Sequence, residues 1–369
     1  MALSSIGNTP MMKFNSLSEA TGCSIYAKCE FCNPGGSVKD RVALQIVREA
    51  MDRGKLKEGG LVTEGTAGST GVSLAMVASI LRLKCHIVMP DDAASEKSAL
   101  VKAYGATVER VRPVSITHSD HFVNVAKRLA SEKNKASGHS SAFFADQFEN
   151  LANFRAHYNN TGPEIYEQLN GKLDAFVCAT GTGGTLAGVA TYLQKMRPDI
   201  KCFVADPPGS GVFNKVQRGV MFSKVEREGT RKKNPYDTIT EGVGINRVTK
   251  NNALILEPES RTATLSGAYL VSDAQAVAMS RWLCTRDGLY VGSSSSVNAV
   301  ATVLCARELG RGNVICTIAC DGGLRHLSKF WNDEAISQHG LAEAAAFGSN
   351  LDLTPEEFID GLVHNTFQL

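Results

Sequence analysis

The sequence lacks a strong charge of either sign. Its 39 Lys and Arg face 37 Asp and Glu, a formal net charge of +2 with pI near 8.0, so nothing calls for a polyanion and nucleic acid is not expected as a partner. The one local excess of base runs from Lys215 through Lys224, Arg227, Arg231, Lys232 and Lys233. It lacks the interleaved aromatic residues on which bases would stack, and reads as a solvated surface insertion. There is no apolar run of about 18 residues to span a bilayer. Met1 to Lys13 has no basic region followed by an apolar core. No membrane partner is expected, and the expected location is the cytoplasm. Cys29 and Cys32 form a C-x2-C pair without a second pair or a His pair at zinc spacing, and His118 and His121 lack a carboxylate pattern to complete a site. No metal is expected. Most of the ten cysteines, such as Cys178, Cys202 and Cys316, sit in apolar strand-like runs where a reduced thiol packs as a small hydrophobe, so disulfides are not expected either.

What is present is an ordinary globular composition, 43% hydrophobic and 21% charged, in 369 residues. That length is more than one core usually supports, and it predicts two lobes with a cleft between them. Apolar β-rich runs alternate with helical patterns: Leu61 to Thr63 then Gly71 to Leu81, Cys85 to Met89 then Ser95 to Tyr104, Thr107 to Val111 then His121 to Ala130. The rhythm resumes with Ala175 to Cys178, Gly184 to Gln194, Cys202 to Asp206, Asp273 to Thr285, Ser295 to Leu309 and Val314 to Ile318. This is a βαβ pattern, hence an α/β fold with parallel sheets flanked by helices. Residues 207–241 break the rhythm and predict a long loop with one short helix. After Trp331 one helix signal stands out, Thr354 as N-cap before Pro355.

Three small-residue turns fall between a strand and a helix, where open α/β sheets bind ligands. Gly181-Thr-Gly-Gly-Thr185 follows a strand and opens a helix, so backbone N–H groups and the helix dipole converge on one anion, and a phosphate fits. The turn lacks the Lys-Ser/Thr of a P-loop and does not complete G-x-G-x-x-G, which weakens nucleotide readings. Thr66-Ala-Gly-Ser-Thr-Gly71 offers hydroxyls and N–H groups to a carboxylate, and Gly292-Ser-Ser-Ser-Ser296 offers hydroxyls to a heteroatom or to its own helix. In Asn33-Pro-Gly-Gly-Ser-Val-Lys-Asp-Arg41, Ser37 and Asp40 read as a capping box with Lys39 in the first turn. A helix start is a poor place for a cation, which points to an amine used for chemistry, as an imine-forming lysine.

These motifs, with Ile6-Gly-Asn-Thr-Pro10 and Asp146-Gln-Phe-Glu-Asn150, occur in an order that resembles the cysteine synthase and cystathionine β-synthase family over roughly residues 4–330. The likeness is greatest to its cysteine synthase 2 branch, which also carries a Thr-Ala-Gly-Ser-Thr-Gly loop. The resemblance implies a two-lobed fold type II pyridoxal-phosphate enzyme, tryptophan synthase β-like. Residues 40–150 would form a smaller mobile lobe, 1–39 with 151–330 a larger cofactor-binding lobe, and 331–369 a C-terminal extension. It implies pyridoxal 5′-phosphate as cofactor, Lys39 as Schiff-base residue and general base, and Gly181, Thr182, Gly183, Gly184 and Thr185 around the phosphate. Ser294 would face the pyridine nitrogen. Thr66, Gly68, Ser69, Thr70 and Gln147 would bind the substrate carboxylate, and Gly242 and Gly244 would line the entrance.

The implied reaction is β-replacement through an aminoacrylate, giving L-cysteine from O-acetyl-L-serine, or a similar activated serine, and sulfide. A homodimer is the family's usual assembly. The chain as given carries neither a heme-binding N-terminal extension nor a C-terminal tandem regulatory module, which weighs against the cystathionine reading. One residue departs from the standard cysteine synthase pattern. Ser69, which the resemblance also places against the cofactor, stands where those enzymes have Asn, which bonds the cofactor's 3′-oxygen, so an L-cysteine desulfhydrase releasing sulfide, pyruvate and ammonia is the alternative. A non-catalytic regulatory protein on the same fold is a third reading, opposed by the retained lysine.

Overall fold

A computed structural model of the chain describes residues 2–138, 141–223 and 238–364. Two sheets organise them. The larger contains β1 (Met11–Lys13), β2 (Ser24–Cys29), β7 (Ala175–Ala179), β8 (Lys201–Asp206), β9 (Gly267–Leu270) and β10 (Val314–Ala319), in the order β1-β2-β10-β7-β8-β9. All its pairings are parallel except β1 with β2. The smaller contains β3 (Leu61–Gly65), β4 (Lys84–Pro90), β5 (Thr107–Val111) and β6 (Ala142–Phe144), all parallel, in the order β5-β4-β3-β6.

Strands β7 and β10 lie at the centre of the larger sheet, which is why they read as apolar without alternation: helices cover both faces. Successive side chains point to opposite faces. Thus Val177 and Ile315 pack with Trp282 and Val300, whereas Phe176, Cys178 and Ile318 pack with Leu186 and Val189 on the other side. The helix Asp273–Asp287 starts with a complete capping box between Ser272 and Gln275.

The interrupted stretch does hold one short helix, Val212–Arg218, which includes Lys215. Lys224, Arg227, Arg231, Lys232 and Lys233 lie outside the described residues. The tail carries more structure than its one signal indicated, with helices at Asp333–Gln338, Ala342–Gly348 and Pro355–His364. Phe358 is fully buried and stacks on Trp282 with ring centroids 4.1 Å apart. The tail is therefore packed into the core of the larger sheet. The first two of these helices are only six and seven residues long, too short to show a period in sequence. Among the described residues, no helix is long and apolar enough to cross a membrane.

Candidate active site

The helix bearing the candidate lysine spans Lys39–Asp52, so Lys39 is its first residue. The capping box expected around it does not form. Val38 occupies the N-cap position in a helical conformation, and Ser37 Oγ accepts only from Lys39 N at 3.3 Å. Asp40 turns away, accepting from Gly35 N at 2.6 Å and Ser73 Oγ at 2.5 Å. Its carboxylate thus ties the Pro-Gly-Gly turn to the helix Ser69–Ile80, a long-range role that outcompetes the local cap. Burial raises its pKa to about 6, against the pull of Ser73, Gly35 and Arg325.

Behind this turn a buried charge cluster joins the N-terminal motif to the lysine helix. Arg41 donates through Nε to Glu30 Oε2 at 2.7 Å and through Nη1 to Glu164 at 2.6 Å. Thr9 Oγ1 donates to Glu30 Oε1 at 2.7 Å, and Lys28 pairs with Glu164 at 2.7 Å. Asn33 Oδ1 accepts from Gly7 N at 2.9 Å. Ile6 to Pro10 and Asn33 to Arg41 are therefore one structural unit that fixes where the Lys39 helix begins.

Lys39 itself is half-buried. Its charge is felt by three groups on different elements. Burial holds the His157 imidazole well below its usual range, with Arg41 and Lys39 adding to the effect. Burial also raises the Cys178 and Cys320 thiols, and at each the charge of Lys39 opposes it. Val38 N donates to Cys320 O at 2.9 Å and Ser37 bridges to Asp321, so the Lys39 helix begins beside the carboxyl end of β10.

The 66–71 turn follows β3 and opens the helix Ser69–Ile80. Gly68 N donates to Thr66 Oγ1 at 3.1 Å, and Thr70 Oγ1 donates to Gln147 Oε1 at 2.5 Å. Gln147 N in turn donates to Glu64 Oε2 at 3.2 Å. Thr66, Gly68, Thr70 and Gln147 are buried around the loop, while Ser69 is half-buried and donates to Asp321 Oδ2 at 3.4 Å.

Across the cleft, residues 181–185 join β7 to the helix Gly184–Met196. Gly183 has φ +98°, and a Cβ on it would stand 2.5 Å from the backbone N of Asn252. No side chain caps this helix, so its first N–H groups stay open to an anion. Thr182 Oγ1 accepts from Asn153 Nδ2 at 2.9 Å, which leaves its own proton to donate. Thr185 Oγ1 meets His157 Nε2 at 3.2 Å. Gly242 abuts the same turn: a Cβ on Gly181 would sit 3.0 Å from its carbonyl oxygen, and Gly244 N donates to Thr180 O at 2.8 Å. The serine turn forms the first turn of the helix Ser293–Leu309, two residues earlier than its pattern indicated. Ser294 there is buried, with its hydroxyl against the Cys320 thiol.

The family described as pyridoxal-phosphate dependent enzyme matches residues 2–321. A curated relative, cysteine synthase 2 of Schizosaccharomyces pombe, is 52% identical over 339 residues, 91% of this chain and 84% of that protein. The chain belongs to the pyridoxal-phosphate-dependent enzymes, among the cysteine synthases. Solved structures agree. The O-acetylserine dependent cystathionine β-synthase of Helicobacter pylori aligns with TM-score 0.73 and 32% identity, covering 89% of this chain and 97% of that one. A hydrogen sulfide-producing enzyme of Fusobacterium nucleatum aligns with TM-score 0.71 and 29% identity, covering 88% and 98%. The two-sheet α/β architecture is the type II pyridoxal-phosphate fold.

The residues of this cysteine synthase-family chain fit the cofactor. A glycine-lined anion cradle at 181–185, a lysine at a helix start beside the end of β10, and a neutral hydroxyl at Ser294 match its phosphate, aldehyde and ring nitrogen in kind. Other members of the site had no local signal in the sequence. Asn153 Nδ2 donates both to Gln147 O at 3.0 Å and to Thr182 Oγ1, linking the Gln147 segment to the 181–185 turn. Asn298 accepts from Ala179 N at 2.6 Å and donates to Ile318 O at 2.7 Å, locking β7 to β10 where the site opens. Both are single polar residues inside helices, which only their burial marks as functional supports.

Proposed function

We propose that this chain makes L-cysteine from O-acetyl-L-serine, or a similarly activated serine, and sulfide by β-replacement. Lys39 carries the reading: the next residue, Asp40, bonds Ser73 of the helix that the 66–70 loop opens, and His157, which the charge of Lys39 reaches, meets Thr185 of the 181–185 turn. Bound there, pyridoxal phosphate supplies an electron sink that allows a bond at the donor's α-carbon to break and its β-substituent to leave. In this reading Lys39 accepts the α-proton, and Thr66, Gly68, Ser69 and Thr70 hold the donor carboxylate, with Gln147 steadying Thr70. Acetate leaves, sulfide bonds to the β-carbon, and Lys39 returns the proton to the α-carbon. Thr182 and the open N–H groups at 183–185 hold the cofactor phosphate. Ser294, a neutral partner for the ring nitrogen, limits how far charge spreads and favours β-elimination over other outcomes. Gly242 and Gly244 border the entrance. We take the protein to be a homodimer of the cytoplasm; all ten cysteines are unpaired, as in a reducing compartment.

The experiment incubates purified protein with O-acetylserine plus sulfide and, separately, with cysteine alone, following cysteine, sulfide and pyruvate. Net synthesis is expected from the first pair. Rapid sulfide and pyruvate release from cysteine with little synthesis overturns it in favour of the desulfhydrase. One observation favours that second reading: Ser69 is shorter than the Asn of standard cysteine synthases, and its hydroxyl is drawn toward Asp321. Ser69→Asn restores the longer side chain and is expected to raise the ratio of synthesis to cysteine breakdown about tenfold. An unchanged ratio removes Ser69 as the residue that sets it.

A further inference from the structure

A ring of charged and polar groups begins and ends on two adjacent residues of the 66–70 loop. It starts at Gly68, whose lack of a side chain admits the stem of Lys97: a Cβ there would sit 2.7 Å from Lys97 Cδ and 3.1 Å from Nζ. Lys97, on the helix Ser95–Ala103 beside the smaller sheet, is 3% exposed and pairs with Glu241 Oε2. Glu241 leads the Gly242–Gly244 segment at the other sheet, donates its N–H to Ser293 Oγ at 3.0 Å, and meets Lys329 through Oε1 at 3.2 Å. His326 Nδ1 stands 3.9 Å from Glu241 Oε2, and its Nε2 is 3.1 Å from Asp321 Oδ2. Asp321 Oδ2 then accepts from Ser69 Oγ at 3.4 Å, returning to the residue after Gly68.

Both carboxylates stay ionised although burial opposes it. At Asp321 burial is outweighed by His326, Arg325 and Lys97, which hold it well below the usual carboxylate range; at Glu241, Lys97, His326 and Lys329 bring it down to about 2. Buried ion pairs add little net stability, because desolvation offsets the Coulomb attraction. The placement of this one calls for another reason. Its two ends meet adjacent residues of the loop, Lys97 packing against Gly68 from beside the smaller sheet and Asp321 accepting from the Ser69 hydroxyl from the end of β10. A loop so held keeps its N–H groups in place for the carboxylate they bind, so releasing it weakens donor binding and raises KM.

We infer that Lys97 and Asp321, joined through Glu241 and His326, are positioning residues that hold Gly68 and Ser69 in register for the donor carboxylate. This rests on the reading that the 66–70 loop binds that carboxylate. The test measures steady-state kinetics of the holoenzyme for Lys97→Met, Glu241→Gln, their double variant, Lys97→Arg and Thr70→Ala. Lys97→Met is expected to raise KM for O-acetylserine about tenfold with kcat within about threefold of wild type, and with cofactor absorbance unchanged. Glu241→Gln is expected to match it, the double variant to be no worse than either single, and Lys97→Arg to recover most of the loss. Unchanged KM in Lys97→Met beside a raised KM in Thr70→Ala overturns the positioning role and leaves the carboxylate reading standing. Unchanged KM in both overturns the two together. Should Lys97→Met lose its cofactor absorbance, Glu241→Gln decides, and an unchanged KM there overturns the proposal. Additive effects in the double variant, or a fall in kcat alone, also count against it.

Discussion

Lys39→Ala is expected to abolish turnover of O-acetylserine and sulfide, a loss of at least about a thousandfold. The charge of the amine reaches His157, Cys178 and Cys320, on three different elements. None of these three groups can take over the proton. His157 is fully buried and held far below its usual range, with its ring nitrogens engaged by Thr161 at 2.9 Å and Thr185 at 3.2 Å. The two thiols are pushed up by burial. The substitution is also structurally mild, because the helix start is fixed by Asp40 and Arg41, which it leaves in place. The cofactor-free variant is accordingly expected to melt within a few degrees of wild type, and a small primary amine added to the assay to restore part of the rate. Activity within about tenfold of wild type would remove Lys39 from the chemistry.

How much of this was legible in the sequence differs by element. The apolar runs that became β7 and β10 announced a sheet covered on both faces, and the turns after β3 and β7 lie where the strand-to-helix rhythm put them. β2 was silent. Its Ser-Ile-Tyr-Ala-Lys-Cys run carries Lys28, fully buried and neutralised by Glu164, which is 136 positions away and invisible to any local pattern. The capping box at Ser37 and Asp40 failed for the same physical reason: Asp40 found better partners in Gly35 and Ser73 than the adjacent helix start offered. In the candidate site, the Gly-rich turns at 66–71 and 181–185 were readable because each falls between a strand and a helix. The ring from Lys97 to Asp321 was not, since it draws on three separated segments and its members look individually like surface charges. Ser69, read as the departure that sets the reaction's outcome, has a partner that explains why a hydroxyl suits the position: Asp321 accepts from it.

Gly183→Ala is expected to weaken retention of pyridoxal phosphate by about a hundredfold or more, equivalent to ~2.7 kcal/mol. Two costs combine. At φ +98° any side chain is strained, and the new Cβ would stand 2.5 Å from both the backbone N and the Oδ1 of Asn252. Asn252 cannot yield cheaply. Its N–H donates to Thr249 Oγ1 at 3.0 Å, its Oδ1 accepts from Thr180 Oγ1 at 2.8 Å, and its Nδ2 donates to Gly181 O at 3.1 Å. Relief therefore comes from the turn, whose N–H groups swing off the phosphate. Gly54→Ala separates strain from collision, because Gly54 has φ +69° and nothing within 4 Å of the added atom. That variant is expected to lose a little stability and no cofactor affinity. Equal affinity in Gly183→Ala and wild type, measured by equilibrium dialysis of the cofactor, would show that the 181–185 turn does not hold the phosphate.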